Sequence, residues 1–76
     1  MKTITIPDRI EYSITDAALL LGVSADTLRR LERQHKIKPA VRRRGQRRYT
    51  TADIALIDLY REGVIPAFAD DPEAWE

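Results

Sequence analysis

Five arginines surround a single glycine in the segment VRRRGQRRYT, residues 41–50. Guanidinium groups stay charged at physiological pH and bind phosphate through a planar fork of N–H donors. The apolar residues Val41 and Tyr49 flank this run, and Gly45 lies near its midpoint. Such spacing is typical of a β-hairpin in which glycine supplies the positive φ of the turn. We therefore predict a basic hairpin, residues 41–49, whose two ends are held by Val41 and Tyr49, rather than a disordered basic loop.

Charge is strongly separated along the chain, although the net charge is only +1. Residues 1–28 contain two basic and four acidic residues, and residues 51–76 contain one basic and seven acidic residues. Between them, residues 29–48 contain ten basic residues and a single acid, Glu32. A charge of +9 over twenty residues favours a surface that binds a polyanion over a merely solvated loop.

Two short helices are predicted just before the basic stretch. The first lies in SITDAALLLGVS, with Thr15 as the expected N-cap. Its apolar residues fall on one face, namely Ile14, Ala17, Ala18 and Leu21. Gly22 ends this helix, because glycine adopts the left-handed conformation that follows a helix end. Ser24 then caps a second helix in ADTLRRLERQ, and two short helices joined by a Gly-Val-Ser turn describe a helix-turn-helix.

The second helix, residues 25–34, is predicted to have two contrasting faces. Leu28 and Leu31 lie on one side, with Glu32 beside them. The opposite side is polar and mostly cationic, with Asp26, Arg29, Arg30 and Arg33. A recognition helix in a DNA major groove has this arrangement, and so does an ordinary amphipathic surface helix. The basic hairpin that follows Pro39 favours the recognition helix.

A third helix and an acidic tail complete the predicted organisation. Thr50 and Asp53 form a near capping box, and a helix with an unusually broad apolar surface runs from there to Gly63. The tail, residues 64–76, is acidic and carries two aromatic residues, Phe68 and Trp75. Disorder is the default for such an end, and the alternatives are folding back over the third helix or recruiting a protein. Residues 1–11 form an N-terminal extension in which MKTITIP predicts a short strand.

Several classes of function are excluded by composition. The chain has no cysteine and one histidine, so we expect no metal site and no cofactor. We find no paired carboxylates, nucleophile–base pair or phosphate-binding loop, and we expect no enzymatic activity. The absence of a signal-like segment and of an apolar run of about 20 residues predicts a cytoplasmic, nucleoid-associated protein without a membrane partner. The basic stretch, residues 29–48, lacks the aromatic residues that stack on RNA bases, so its composition favours DNA over RNA.

Residues 12–57 resemble the winged-helix DNA-binding domain of the MerR superfamily. The similarity lies in YSITDAALLLGVSADTLRRLE, Pro39 and GQRRYTTADIALI, in that order. Where many members carry aromatic residues after the T-L-R arginine, this chain has Arg30 and Leu31, and where they carry a glycine it has His35. The segment GQRRY, together with the His-Lys-Ile exit from the second helix at residues 35–37, looks more like the compact excisionase-type and small-regulator branches than the ligand-sensing ones. The resemblance implies a mainly α, small winged helix-turn-helix fold over residues 12–63, with three helices and a two-stranded hairpin.

The resemblance also implies that Arg29 in the second helix and Arg47 in the hairpin contact DNA, with Thr27 near the same surface. The charge pattern extends the expected DNA-binding set to the remaining arginines of the basic stretch: Arg30, Arg33, Arg42, Arg43, Arg44 and Arg48. Two alternatives concern the hairpin itself. In the first, Tyr49 packs the hairpin, residues 41–49, against the core. In the second, Arg47 pairs with an acidic residue inside the fold instead of contacting DNA.

Three functions fit these features. The first is a sequence-specific regulator of transcription that binds double-stranded DNA as several cooperating copies or with a protein partner. The second is a recombination directionality factor that bends DNA for an integrase, and the third is a protein-interaction adaptor that uses the broad third helix. A protein partner, either an integrase or the transcription machinery, would bind the third helix or the tail. No inducer is expected, because the effector domain of ligand-sensing members is missing.

Overall fold

A computed structural model describes residues 11–76 of the chain. Three helices and one hairpin follow one another as α1 (Ile14–Leu21), α2 (Ala25–Arg33), β1 (Val41–Arg43), β2 (Gln46–Arg48) and α3 (Thr51–Arg61), with a final 3₁₀ turn at Pro72–Trp75. This is the predicted fold, a mainly helical small domain with a two-stranded wing. The strand predicted near the N-terminus lies in residues 1–7, outside the described part of the chain.

Each helix begins at a side-chain cap. Ser24 accepts a hydrogen bond from the amide of Thr27 at 3.1 Å, and Thr50 and Asp53 form a complete capping box with two bonds of 3.0 Å. The prediction of Thr15 as the first cap is wrong. Ser13 has this role and accepts from the amide of Asp16 at 3.1 Å. Helix α1 therefore starts earlier, which puts Ile14 in its first turn and against the core.

The helix ends use left-handed residues, as predicted. After α1, Gly22 has φ of 75°, and the amide of Val23 donates to the carbonyl of Ala18. After α2, His35 takes the same position with φ of 61°, and the amide of Lys36 donates to the carbonyl of Leu31 at 2.9 Å. This pattern is a Schellman motif, which glycine usually closes. His35 thus closes the C-terminal end of α2 at the position where many members of the resembled family carry a glycine.

The hairpin is antiparallel and tight. Arg42 lies opposite Arg47, and the two-residue turn Arg44–Gly45 has positive φ at both positions, 54° and 80°, as in a type I′ turn. Tyr49 is 1% exposed, and it forms a β-bridge with Tyr12. Val41 is 56% exposed, so its predicted role as a second anchor is wrong. In its place Ala40, one residue earlier, packs against the core.

The core lies where α1, α2 and α3 meet the base of the hairpin. Its buried side chains are Ala17, Ala18, Leu21, Leu28, Ile37, Tyr49, Ile57 and Trp75. Helix α1 packs on both other helices, as its apolar face predicts. None of the helices in residues 11–76 is long and apolar enough to span a membrane.

The acidic tail folds back on the domain, one of the three alternatives that its sequence allows. Trp75 is 1% exposed and packs against Tyr60 of α3 and Phe68, with ring centroids 6.0 and 6.2 Å away. The amides of Phe68 and Ala69 donate to the carbonyls of Lys36 and His35 at 3.0 and 2.9 Å. The broad apolar surface of α3 is therefore covered on one side by the tail.

Candidate nucleic-acid interface

Glu32 connects helix α2 to the wing, which is the hairpin of β1 and β2. Its Oε1 accepts a hydrogen bond from Nε of Arg47 at 2.5 Å, and its Oε2 accepts from the amide of Ala40 at 3.1 Å. Nη2 of Arg42 lies 3.9 Å from the same Oε1. The Glu32 side chain is only 11% exposed and that of Arg47 only 22%. Solvent therefore screens this ion pair less than a surface pair, and the pair fixes the wing relative to α2.

The polar face of α2 is exposed as the sequence predicts. Arg29, Arg30 and Arg33 are all exposed. Nη1 of Arg29 donates to Asp26 at 2.6 Å within the same helix, an exposed i,i+3 pair of the kind that contributes little stability. Thr27 is half-buried at the start of the helix, where its hydroxyl lies 2.9 Å from that of Ser24.

Arg29 and Arg47 line the same cleft. This cleft has a volume of about 330 Å³ and lies between the start of α1, the polar face of α2 and the tip of the wing. The other residues that line it are Ser13, Ile14, Thr15, Gly45 and Gln46. The two arginines that the family resemblance selects thus lie on one side of the molecule, within reach of one bound polyanion.

The wing divides its arginines between two faces. Alternation along the strands places Arg42 and Arg47 on the face that meets Glu32. The opposite, outer face has its own cleft, lined by Glu11, Arg43, Arg44, Gln46 and Arg48. There Nε of Arg43 donates to both carboxylate oxygens of Glu11 at 2.9 Å. The five wing arginines of the predicted DNA-binding set therefore lie on two faces of the wing rather than on one.

The hydroxyl of Tyr49 is buried beneath this connection. Burial raises the pKa of Tyr49 above its usual value, and the nearby Glu32 carboxylate raises the pKa further, while Arg47 and Arg42 oppose the shift. Among residues 11–76 the hydroxyl has no hydrogen-bond partner. Tyr49 thus packs the base of the wing against the core, which is the alternative predicted for this residue.

Glu32 is the site residue that sequence reasoning did not assign. The alternative for Arg47, pairing with an acid inside the fold, is the arrangement observed, and the acid is Glu32. The signal was present, because Glu32 is the only acid in residues 29–48 and lies beside the leucine face of its helix. In residues 11–76 no three His, Cys, Asp or Glu side chains are grouped so that they could hold a metal ion.

Residues 12–63 match a family model described as MerR HTH family regulatory protein. The matched region contains α1, α2, the wing and α3, and it ends at Gly63, before the tail that packs on α3. A search of curated proteins and a search of solved structures each gave no match.

Proposed function

From the premise that the chain belongs to the MerR helix-turn-helix family of regulatory proteins, we propose that it recognises specific sequences in double-stranded DNA and regulates transcription. DNA binding itself follows from membership of the family. The observation that carries the finer proposal is the single cleft that contains Arg29 of the recognition helix and Arg47 of the wing. The activity is binding without catalysis, in the cytoplasm at the nucleoid.

The proposed division of labour assigns base contacts to α2 and phosphate contacts to the wing. Arg29, Arg30 and Arg33 are exposed on one helix that is narrow enough for a major groove. An arginine that binds a guanine through two hydrogen bonds contributes about 1–3 kcal/mol of discrimination. The wing arginines supply contacts that orient the protein on the duplex and carry no sequence information directly.

One copy of this small domain contacts too little DNA to discriminate strongly between sequences on its own. A single module of this kind buries roughly 600–1,000 Å² of protein surface on DNA. About five or six phosphate contacts would give a slope of log K against log salt near −5. We therefore propose that several copies bind cooperatively to repeated sites, or that a protein partner assists. The exposed part of α3 and the acidic outer surface of the tail are available for that contact.

A footprint on the DNA flanking the protein's own gene tests the proposal. Protection next to promoter elements, with several phased half-sites, is the expected result. Protection confined to the arms of an attachment site would instead support a recombination directionality factor that bends DNA for an integrase. Absence of any sequence preference would contradict the proposal, and tight binding of one copy to one isolated half-site would contradict its cooperative part.

Substitutions at two arginines separate the proposed roles. Arg29→Ala should weaken binding to the protected site by about tenfold or more and relax its specificity, because a base contact is lost. Arg44→Ala should weaken binding to all sequences equally and lower the salt slope by about one, because a phosphate contact is lost. Titration of labelled DNA at several salt concentrations measures both, and each variant serves as the control for the other.

A further inference from the structure

The carboxylate of Glu32 contacts the residue before the wing and both strands of the wing. Glu32 lies on α2 and accepts hydrogen bonds from the amide of Ala40 before β1 and from the side chain of Arg47 in β2. The side chain of Arg42 in β1 forms a longer ion pair of 3.9 Å with it. We infer that Glu32 is a positioning residue that sets sequence discrimination, by fixing the wing arginines relative to the recognition helix. This inference rests on the proposed function.

The two carboxylate oxygens have different tasks. Oε2 accepts from the backbone at Ala40, which fixes the point where the chain enters the wing. Oε1 accepts from Nε of Arg47 and lies near Arg42, so one oxygen faces both arginines of the inner wing face. A neutral amide in this position would keep at most one of these tasks, because its nitrogen is a donor and would meet other donors.

Fixing Arg47 matters because it shares a cleft with Arg29. Discrimination between DNA sequences requires the side chain that contacts bases and the side chains that bind phosphates to contact the duplex at the same time, in one fixed position. With Nε bound to Glu32, Arg47 has a fixed orientation toward the cleft, and its remaining N–H groups approach DNA in that orientation. Without the carboxylate, Arg42 and Arg47 would bind phosphates in many arrangements, and affinity for unrelated DNA would rise.

The experiment compares Glu32→Gln with the matched variant Glu11→Gln. Both remove one negative charge, and both release a wing arginine, since Glu11 binds Arg43 on the outer face. Of these two residues, Glu32 alone joins the wing to α2. Affinity for the footprinted site and for a scrambled duplex of equal length is measured at several salt concentrations, and urea unfolding verifies that each variant is folded.

For Glu32→Gln we expect tighter binding to scrambled DNA, a salt slope that is steeper by one to two, and a ratio of specific to scrambled affinity that falls about tenfold. For Glu11→Gln we expect a salt slope that is steeper by at most one and an unchanged ratio. A merely structural role would weaken binding to both duplexes equally and leave the salt slope unchanged.

Two results would overturn the inference while the proposed function stands. The ratio for Glu32→Gln could equal that of the wild type, or the variant could behave in all respects as Glu11→Gln does. If the unsubstituted protein shows no preference between the two duplexes, the proposed function itself has failed. Should Glu32→Gln unfold, Glu32→Asp keeps the charge on a side chain that is one methylene shorter. Glu32→Asp should lower the ratio of specific to scrambled affinity by less than the tenfold expected for Glu32→Gln. A ratio equal to that of the wild type would again overturn the inference.

Discussion

His35 holds a backbone conformation that is costly for a residue with a side chain. Its φ of 61° places it in the left-handed region, which costs about 1–2 kcal/mol for an L-residue other than glycine. The side chain is exposed and closes the recognition helix only through its backbone. His35→Gly should therefore raise the free energy of unfolding by about 0.5–1 kcal/mol, after the greater flexibility of glycine in the unfolded chain is subtracted. Urea denaturation measures the change.

Gly63 provides the matched control for His35. It ends α3 with φ of 83°, and a Cβ placed there would meet no atom within 4 Å, so Gly63→Ala changes conformational preference without a steric clash. We expect Gly63→Ala to lower the free energy of unfolding by about 1 kcal/mol. If the two substitutions shift stability in the same direction, the backbone argument is wrong.

The buried hydroxyl of Tyr49 predicts a specific dependence on pH. Burial, assisted by Glu32, raises the pKa of Tyr49 above its usual value of about 10. Both states keep the phenol proton below that value. Above it, the unfolded chain loses the proton while the folded protein retains it, so stability falls as pH rises toward the folded pKa. Tyr49→Phe should abolish this part of the alkaline fall.

At neutral pH the same substitution removes a hydroxyl that has no hydrogen-bond partner in residues 11–76. An unsatisfied buried polar group costs about 1–3 kcal/mol, so Tyr49→Phe should leave stability unchanged or raise it by up to about 1 kcal/mol. Urea unfolding at pH 7 and between pH 9 and 11 measures both effects. Tyr60→Phe, which keeps Tyr49, should retain the alkaline fall that Tyr49 causes. A large loss of stability for Tyr49→Phe at pH 7 would indicate a hydrogen bond to that hydroxyl.

Sequence alone predicted the arginines of the candidate site but not Glu32 or its bond to Arg47. Arg29 and Arg47 stand out through their motif positions, and the structure places both in one cleft. The bond between Glu32 and Arg47 joins residues 15 positions apart, and it forms only because α2 and the wing pack side by side. Alternation along a strand predicts which arginines share a face, but not which face meets the helix.

At the scale of the elements, local sequence preferences predicted the helix caps correctly where the sequence offers only one suitable residue. Gly22, Ser24 and the Thr50–Asp53 pair occupy the predicted positions. The start of α1 offers both Ser13 and Thr15, and local preference does not choose between them. With Ser13 as the cap, Ile14 lies in the first turn of α1 and packs against the core. Val41 was predicted to be an anchor only because it is an apolar residue at the end of the arginine run, but all three residues of β1 are exposed.

The hairpin turn predicts a stabilising substitution. Arg44 has φ of 54° next to Gly45, where type I′ turns favour Asn-Gly. Arg44→Asn should raise the free energy of unfolding by about 0.5 kcal/mol, because asparagine tolerates the left-handed conformation better than arginine does. Arg43→Asn, in the strand itself, is the control and should give no gain, since asparagine is disfavoured in strands and the pair with Glu11 is lost. A gain for both variants, measured by urea unfolding, would point to relief of charge repulsion rather than to the turn.

At the scale of the whole molecule, the tail supplies a buried residue from outside the family-matched region. The match ends at Gly63, yet Trp75 is among the largest fully buried side chains in residues 11–76. The acidic charge of the tail and its place at the chain end could not predict this, because such an end is disordered by default, although seven of its thirteen residues are apolar. The broad apolar surface of α3 predicted a further contact, but it fitted the tail, a second copy or another protein equally well. A domain this small gains much of its stability from each large side chain that it buries.

Trp75→Ala should lower the free energy of unfolding by about 3–5 kcal/mol, the usual cost of truncating a buried aromatic residue. Val64→Ala is the control in the same tail; its side chain is 63% exposed, and we expect a change within about 0.5 kcal/mol. Because Trp75 is the only tryptophan of the chain, its fluorescence reports undocking of the tail, while circular dichroism reports the helices. The tail also holds the carbonyls of His35 and Lys36 at the end of the recognition helix. We therefore expect the two signals to change at the same urea concentration, as in a single cooperative unit. A fluorescence transition that precedes the loss of helix would show instead that the tail is a separate unit which docks on an already stable domain.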